Sequence, residues 1–196
     1  MMLKNDILNR KREIINAAME VFAKNDYQEA TISSIAEKAR VADATIYEYF
    51  KNKEDLLFSI PEEKMKEVIS QASLHLQGIK GALNKIRKFA WFYLWFFENN
   101  ANWASVVMLN LKTNKRFANT PANQLVRDFL KIVIDIVEEG KSEGSIRKEV
   151  NPYIFRSMLV GMIENLTIRW LVLNKPEKLS TLANEVTELL IQALKV

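Results

Sequence analysis

Apolar side chains recur every three or four residues along most of this chain, which is the spacing of one face of an α-helix. No stretch shows the convincing apolar–polar alternation of a β-strand, and only five glycines and four prolines interrupt the pattern. The sequence therefore predicts an all-α protein of about nine helices. Their predicted ranges are 6–24, 31–38, 43–50, 53–77, 82–98, 101–111, 121–140, 152–173 and 178–194.

The second and third predicted helices are short, and a turn around Arg40-Val41-Ala42 separates them. Thr31 is placed to cap the first of the two, and Ile46 and Phe50 form the buried face of the second because they lie four residues apart. The other side chains of the second helix face outward and include hydroxyl and aromatic groups: Asp43, Ala44, Thr45, Tyr47, Glu48 and Tyr49. Such a pair is typical of a helix-turn-helix, whose second helix enters the major groove of DNA.

Residues on both sides of this pair carry an ordered match to one family. The segment Arg12–Phe22, the helix pair and the segment Thr45–Leu56 together resemble, over about 45 residues, the TetR/AcrR family of transcriptional regulators. Gly140–Arg147 is similar to the usual end of the family's seventh helix. The resemblance implies a TetR-like fold, with a three-helix DNA-binding domain at 1–52 and an effector-binding and dimerisation domain at 53–196.

The chain departs from the family pattern around the turn. The family usually has glycine where Asp26, Arg40 and Ala44 stand, and a serine cap where Ala42 stands. A side chain in a left-handed turn costs about 1 kcal/mol relative to glycine. We therefore expect a strained or differently shaped turn at Arg40, with Asp43 as the available replacement cap.

Net charge alone does not identify the DNA-binding segment. The chain carries +4 overall, yet residues 1–55 hold nine Lys/Arg and ten Asp/Glu. Local clusters before and after the helix pair are better candidates for phosphate contacts. The predicted base contacts are Asp43, Ala44 and Thr45, and the predicted backbone contacts are Thr31, Ser33, Tyr47, Tyr49, Lys51, Lys53, Arg10, Lys11 and Arg12. The two tyrosines have an alternative role, which is to pack the third helix onto the first.

The segment Trp91–Phe97 holds six of the nineteen aromatic residues of the chain. Aromatic side chains on every side of a helix indicate a core helix, the wall of a wide groove, or both. The family's fifth helix commonly borders the effector cavity, so the resemblance favours a pocket wall. The predicted lining, which suits a long hydrophobic effector, is Trp91, Phe92, Trp95, Phe96, Trp103, Val107, Met108, Leu111, Phe129 and Val133.

Three segments narrow the resemblance further. Val41–Asp43, Lys51–Asp55 and Gly161–Asn165 resemble the fatty-acid-degradation (FadR-like) branch, which responds to long-chain acyl-CoA. A hydrophobic drug or dye is the alternative effector. A cationic drug favours buried carboxylates, for which the candidates are Glu98, Asp128, Asp135 and Glu164.

The last two predicted helices carry a second apolar surface with helical spacing. Its predicted members are Phe155, Leu159, Met162, Leu166, Trp170, Leu182, Val186, Leu189 and Leu190. They form either a four-helix interface between two copies of the chain or the internal packing of a monomer. A two-fold dimer presents its reading helices about 34–36 Å apart and therefore predicts a palindromic operator.

The remaining residue types argue against an enzyme. The chain has no cysteine and one histidine, His75, so thiolate sites, His-based metal sites and a Ser-His-Asp triad are excluded. We predict no catalytic residue, metal or cofactor, no membrane partner, and a cytoplasmic location. The predicted function is a homodimeric, ligand-responsive repressor that a hydrophobic effector releases from its operator. The rival from another class is a small-molecule-binding or protein-interaction module with a degenerate DNA-binding head.

Overall fold

The computed structural model describes residues 2–25 and 27–195, with side chains from Asp6 onward, so Asp26 lies outside the described residues. Within that part of the chain there are nine α-helices and no strand, which confirms the all-α prediction. The helices are α1 (Met2–Lys24), α2 (Ile32–Ala39), α3 (Asp43–Tyr49), α4 (Lys53–Leu76), α5 (Ala82–Asn99), α6 (Ala101–Ser105), α7 (Pro121–Ser142), α8 (Pro152–Leu173) and α9 (Ala183–Gln192).

The sixth and ninth predicted helices differ most from the observed ones. After α6 the chain continues as a π-helical segment, Val106–Leu111, in which the N–H of Lys112 donates to the carbonyl of Val107 at 3.0 Å. A 3-10 turn at Leu179–Leu182 precedes α9. Apolar spacing over a single turn does not distinguish these geometries from an α-helix, because all three place every third to fifth residue on the same side.

Contacts between residues divide the chain into two compact units. The first unit comprises the described residues up to Lys64 together with Asn102–Asn123, and the second comprises Met65–Ala101 and the described residues from Gln124 onward. This division differs from the predicted one, which assigns everything after residue 52 to a single body.

Polar contacts explain why Asn102–Asn123 belongs to the first unit. The side-chain amide of Asn110 donates to the carbonyl of Phe22 at 3.3 Å and accepts from the N–H of Tyr27 at 3.1 Å. The hydroxyl of Ser105 donates to the carbonyl of Ala23 at 3.2 Å. The π-helical segment and the end of α6 therefore satisfy carbonyls at the C-terminal end of α1, which a helix leaves without internal partners.

Aromatic packing around α5 forms the core of the second unit. Phe89, Phe92, Phe96 and Phe97 are each no more than 1% exposed. The ring of Phe129 on α7 lies 5.2 Å from that of Phe89, measured between centroids. These contacts show that most of the aromatic segment lies in the interior, as its all-round apolar character indicates.

Gly140 allows the close packing of α7 in this unit. A Cβ at Gly140 would lie 2.6 Å from Cγ1 of Ile146 and 2.8 Å from Cβ of Ala82, whereas a Cβ at Gly161 on α8 would meet no atom within 4 Å. The carboxylate of Glu143 accepts from the N–H of Ala82 at 2.9 Å. That bond and the hydroxyl of Ser145 lower the pKa of Glu143, with the Ser145 hydrogen bond as the larger cause.

Candidate nucleic-acid interface

The helix pair begins with a cap that Thr31 provides, as the sequence predicts. The Oγ1 of Thr31 accepts from the N–H of Ser34 at 3.0 Å, and the Oγ of Ser34 accepts from the N–H of Thr31 at 3.3 Å. This reciprocal capping box satisfies two donors at the start of α2. Ile35 and Ala36 are buried on the inner face of the helix.

The helix α2 ends in a left-handed turn at Arg40. This residue has φ 56° and ψ 45°, and its N–H donates to the carbonyl of Glu37 at 3.1 Å. The N–H of Val41 donates to the carbonyl of Ala36 at 3.0 Å, which completes the closure of the helix end. The turn thus has the left-handed geometry usually met with glycine, but with an arginine side chain at a cost of about 1 kcal/mol.

The start of α3 is held by a side-chain contact instead of a cap. Ala42 stands at the N-cap and gives no side-chain hydrogen bond. The carboxylate of Asp43 does not replace the cap either, because it accepts from the hydroxyl of Ser33 at 2.5 Å. This bond joins α2 to the first turn of α3 and helps to fix the angle between them. On the inner face, Ile46 is 0% and Phe50 is 3% exposed, as predicted.

The outer face of α3 leaves most of the predicted base and backbone contacts accessible. Asp43, Ala44 and Tyr47 are exposed, and Thr45 is half-buried. Tyr47 is 56% exposed, whereas Tyr49 is half-buried with its ring 6.4 Å from that of Phe50. The packing alternative therefore fits Tyr49 better than Tyr47, and their roles in DNA binding remain predictions.

Lys53, a predicted phosphate contact, serves the fold of the first unit. Its ammonium donates to the carbonyls of Tyr27 at 2.6 Å and Ala30 at 2.8 Å. It also lies 4.3 Å from the centroid of the Tyr27 ring. The ammonium has three donors, and two of them are occupied by the loop between α1 and α2. Lys53 therefore holds that loop in place, and its contact with the DNA backbone stays a prediction.

The other predicted cations are more available. Arg10 pairs with Glu13 at 2.7 Å and Arg12 pairs with Glu63 at 2.9 Å, and all four side chains are exposed. Such pairs are worth about 0–1 kcal/mol, so a phosphate can replace the carboxylate at little cost. Lys51 is exposed, and its backbone N–H donates to the carboxylate of Asp55, whereas its ammonium has no partner in the described part of the chain.

Lys11 has an aromatic partner instead of an ion pair. Its ammonium lies 5.6 Å from the centroid of the Phe50 ring, so it stays beside the end of α3. Ser33 and Thr31 are exposed, but their hydroxyls already bond to Asp43 and Ser34. Each hydroxyl keeps further donor or acceptor capacity for a phosphate.

The predicted effector residues are divided between the two units. In the first unit, Trp103, Met108 and Leu111 are buried and Val107 is half-buried. In the second unit, Phe92, Phe96, Phe129 and Val133 are buried, and Trp91 and Trp95 are half-buried. The structure brings together four of the α5 aromatics, with ring centroids of Trp91–Trp95, Phe92–Trp95 and Phe92–Phe96 separated by 5.7, 6.2 and 5.8 Å.

His75 joins these aromatic side chains, which the sequence alone does not reveal. Its ring centroid lies 5.5 Å from Trp91, 5.1 Å from Phe92 and 5.7 Å from Trp95. The ammonium of Lys88 lies 3.7 Å from the centroid of Trp91. Burial lowers the pKa of His75, and the charge of Lys88 lowers it further. His75 is thus a packing residue of the second unit that resists protonation.

The carboxylates considered for a cationic drug are mostly engaged. Glu98 accepts from the N–H and hydroxyl of Ser180 at 2.8 and 2.9 Å. Asp128 accepts from Gln124 and Asp135 pairs with Lys131. Glu164 is close enough to Tyr93 to raise the pKa of that phenol, although burial is the larger cause. None of the four carboxylates is fully buried.

The second unit also has an open groove that the sequence does not predict. Its volume is about 720 Å³. Leu74 and Leu76 of α4 and Ile132 and Ile136 of α7 supply its apolar lining. The pair Lys85–Glu139, 2.7 Å apart, lies on its polar side. None of the predicted effector residues lines this groove.

Four of the nine residues of the predicted dimer surface are covered within one protomer. Phe155, Leu159, Val186 and Leu190 are buried, each no more than 4% exposed, so they belong to the core of the second unit. Met162, Leu166, Trp170 and Leu182 are half-buried, and Leu189 is 71% exposed. The apolar side chains that α8 exposes are Tyr153, Ile154, Met158, Val172 and Leu173. Because α8 is apolar on every side, its periodicity does not reveal which side its own protomer covers.

The described residues lack two other kinds of feature, a metal site and a membrane-spanning helix. Among the described side chains, no group of three or more His, Cys, Asp or Glu residues is arranged to hold a metal ion. None of the helices, so far as the chain is described, combines the length and the apolar character that crossing a membrane requires.

Comparison with known proteins gives matches along nearly the whole chain. Residues 14–60 match the family described as "Bacterial regulatory proteins, tetR family", and residues 61–193 match "YsiA-like protein, C-terminal region". The fatty acid metabolism regulator protein of Bacillus subtilis (strain 168) is 32% identical over 182 residues, which are 93% of this chain and 94% of that protein.

Two solved structures share the fold. The transcriptional regulator FadR from Bacillus subtilis, in complex with stearoyl-CoA, has a TM-score of 0.85 and 33% identity, covering 92% of this chain and 97% of that one. The fatty acid degradation regulator FadR from Bacillus halodurans has a TM-score of 0.84 and 28% identity, covering 93% and 94%. The predicted architecture is therefore that of these regulators.

Proposed function

The chain belongs to the TetR family of bacterial regulatory proteins, and from this membership we propose that it is a homodimeric repressor whose palindromic operator is released by a long-chain acyl-CoA. That it is a transcriptional regulator follows from the family itself. The observation that carries the finer proposal is the 33% identity, over 92% of this chain, to a regulator solved with stearoyl-CoA.

The first unit supports operator binding through its geometry. Thr31 and Ser34 fix the start of α2, and the bond between Ser33 and Asp43 joins α2 to α3. A reading helix held in this way presents its exposed side with little further ordering, which reduces the entropic cost of binding. Tyr47 and Lys51 then lie on the exposed side, where a hydroxyl and an ammonium suit phosphate oxygens.

The second unit supports a hydrophobic effector. Its α5 carries clustered aromatic side chains, of which Trp91 and Trp95 retain exposed surface. No carboxylate among the drug-site candidates is fully buried, which disfavours a cationic drug. An acyl chain requires only apolar walls, and its burial contributes about 0.8 kcal/mol for each CH₂ group.

Two-fold assembly is supported by apolar residues that one protomer leaves exposed. Ile154 and Met158 are 60% and 51% exposed on α8, and Leu189 is 71% exposed on α9. Burial of such residues against the same residues of a second copy gives an isologous interface. Two reading helices related by a two-fold axis read a palindrome.

Release requires that the effector bind two conformations of the dimer with different affinity. The segment Val106–Leu111 carries predicted effector residues and is bonded to α1 through Asn110. An effector that displaces this segment would therefore move α1. A tilt of α4 would then increase the distance between the two α3 helices of the dimer. A coupling free energy of about 1–3 kcal/mol changes operator affinity about 5–150-fold.

A binding experiment with Tyr47 tests the proposal. Wild-type protein is used to select duplexes from a randomised library, and we expect a palindromic consensus. Tyr47→Ala should weaken binding to the selected duplex about tenfold, whereas Tyr47→Phe, which loses only the hydroxyl, should lose less. Native mass spectrometry should show intact dimers for both variants and an acyl-CoA adduct on the purified wild type.

Two results would count against the proposal. A selection without a palindromic consensus would refute a two-fold operator. Unchanged operator affinity in Tyr47→Ala would show that α3 does not dock through its exposed side.

A further inference from the structure

We propose that Arg40, in the turn between α2 and α3, is a phosphate contact that holds the DNA backbone beside the reading helix. The inference rests on the proposed function, because it presumes binding of duplex DNA. It concerns a residue that the predicted DNA contacts do not include, and three observations support it.

The first observation is the backbone conformation of Arg40. Its φ of 56° lies in the left-handed region, where a Cβ is unfavourable and glycine is the ordinary occupant. Among the described residues, only one other residue besides glycine has a positive φ, Asn174 at 52°. Asparagine tolerates this region because its short polar side chain can bond locally, whereas arginine has no such compensation. A conformation that costs stability and persists indicates a function for the side chain.

The second observation is that the side chain of Arg40 has no partner. It is exposed, and it makes no hydrogen bond, ion pair or ring contact with the described part of the chain. By contrast, Lys38 on the same helix pairs with Glu20 at 2.7 Å, and that bond lowers the pKa of Glu20. A guanidinium offers five donors in a planar fork that matches two phosphate oxygens.

The third observation is the cleft that Arg40 lines. The cleft lies between α1 and the end of α2 and has a volume of about 400 Å³. Arg10 and Lys38 line it from either side, and its carboxylates are those of Glu13 and Glu20. Both carboxylates belong to exposed ion pairs, and a phosphate can take their place at little cost. The cleft therefore places three cations around one opening next to the turn that leads into α3.

These observations together explain how residues 1–55, whose net charge is −1, can bind DNA. Nine Lys/Arg and ten Asp/Glu stand in residues 1–55, so the overall field does not attract phosphate. A cation without an internal partner contributes its whole charge to the contact, because binding breaks no existing ion pair. The strained turn places Arg40 directly before the helix that reads the bases.

The test uses full-length variants and the duplex that the wild type selects from a randomised library. Arg40→Gly removes the charge and relieves the backbone, so it should raise the melting temperature by about 2–4 °C. It should also weaken binding about five- to tenfold at 100 mM KCl. Because a dimer has two copies and each phosphate contact contributes about 0.9, the slope of log affinity against log salt should fall by about 1.8.

Two control variants separate the charge from the strain. Arg40→Lys keeps both, so its salt slope and melting temperature should match those of the wild type. Asn174→Gly relieves the other left-handed residue, at the end of α8, and should leave binding unchanged. Since a phosphate contact carries no sequence information, Arg40→Gly should weaken single-base variants of the duplex by the same factor as the selected duplex.

The possible outcomes are distinct. If the wild type binds the selected duplex and Arg40→Gly binds it with the same affinity and the same salt slope, this inference is overturned and the proposed function still stands. A melting temperature of Arg40→Gly below that of the wild type also overturns the inference. So does a salt slope that falls as much in Arg40→Lys as it does in Arg40→Gly. Absence of specific binding by the wild type overturns the proposed function and the inference with it.

Discussion

Replacement of Lys53 by methionine removes an ammonium that makes two hydrogen bonds within the first unit. The bonds to the carbonyls of Tyr27 and Ala30 are 2.6 and 2.8 Å long. A hydrogen bond from a charged group contributes about 1.5–3 kcal/mol, and water replaces part of that for carbonyls near the surface. The contact with the Tyr27 ring contributes about 0.5–1 kcal/mol more. We therefore expect Lys53→Met to lower the free energy of unfolding by about 2–4 kcal/mol.

Lys51→Met is the matched control, because Lys51 lies two residues away and its exposed side chain has no partner among the described residues. Urea unfolding followed by circular dichroism should give a lower midpoint for Lys53→Met and an unchanged midpoint for Lys51→Met. Operator affinity, measured by fluorescence anisotropy at a temperature where both variants are folded, should be lower for Lys51→Met than for Lys53→Met. Lys51→Met should lose the larger share of affinity and reduce the salt slope by about 1.8 per dimer.

The opposite result would be that Lys53→Met unfolds at the same urea concentration as the wild type while its operator affinity falls. That result would mean that the ammonium leaves the two carbonyls at no cost and acts on DNA. An equal loss of stability in Lys53→Met and Lys51→Met would show that the hydrogen bonds of Lys53 to Tyr27 and Ala30 are not the cause.

Three further perturbations follow from the packing. Gly140→Ala places a Cβ where no space exists and should lower the free energy of unfolding by about 1–3 kcal/mol. Gly161→Ala, in open space within a helix, should not lower the free energy of unfolding in urea titrations of the full chain. The pKa of His75 is lowered in the folded state. Neutral His75 therefore contributes its full share of the free energy of unfolding above the unfolded-state pKa of about 6.5, and this share is lost as pH falls below that value. His75→Phe should therefore flatten the dependence of stability on pH between about 5 and 7, and an unchanged slope would contradict the assignment. Asn110→Ala removes the side-chain donor to the carbonyl of Phe22 on α1 and should increase hydrogen exchange at the end of that helix; unchanged exchange there would contradict the role of Asn110.

The helices and the helix pair could be predicted because their signals are local. Thr31 and Ser34 are three residues apart, and the cap they form depends on that spacing alone. The buried positions of Ile46 and Phe50 follow from a spacing of four residues in one helix. A left-handed turn at Arg40 could be expected because the family that the helix pair resembles usually has glycine at this position.

The role of Lys53 and the membership of the units could not be predicted, because they depend on contacts between distant parts of the chain. The carbonyls that Lys53 bonds lie 26 and 23 residues before it. Asn110 bonds residues 83 and 88 positions away. A charged residue after a reading helix has the same local pattern whether it binds phosphate or a carbonyl, so only the folded chain distinguishes the two.

The exposed and buried sides of α8 illustrate a second limit. Phe155 and Leu159 are buried, while Ile154 and Met158, one residue earlier in each case, are exposed. Both pairs have a spacing of four residues, and both consist of large apolar side chains. Periodicity predicts that a helix has a buried side. Because α8 is apolar all round, periodicity does not predict which of its sides packs against its own protomer.

Titration of the protein–operator complex with stearoyl-CoA measures whether an acyl-CoA releases the operator. Operator affinity is measured by fluorescence anisotropy at fixed salt, with coenzyme A alone and stearate alone as controls. We predict that stearoyl-CoA weakens operator binding by about 5–150-fold and that neither control does so at the same concentration. Unchanged operator affinity at saturating stearoyl-CoA, with binding of the ligand shown by native mass spectrometry, would refute release of the operator by an acyl-CoA.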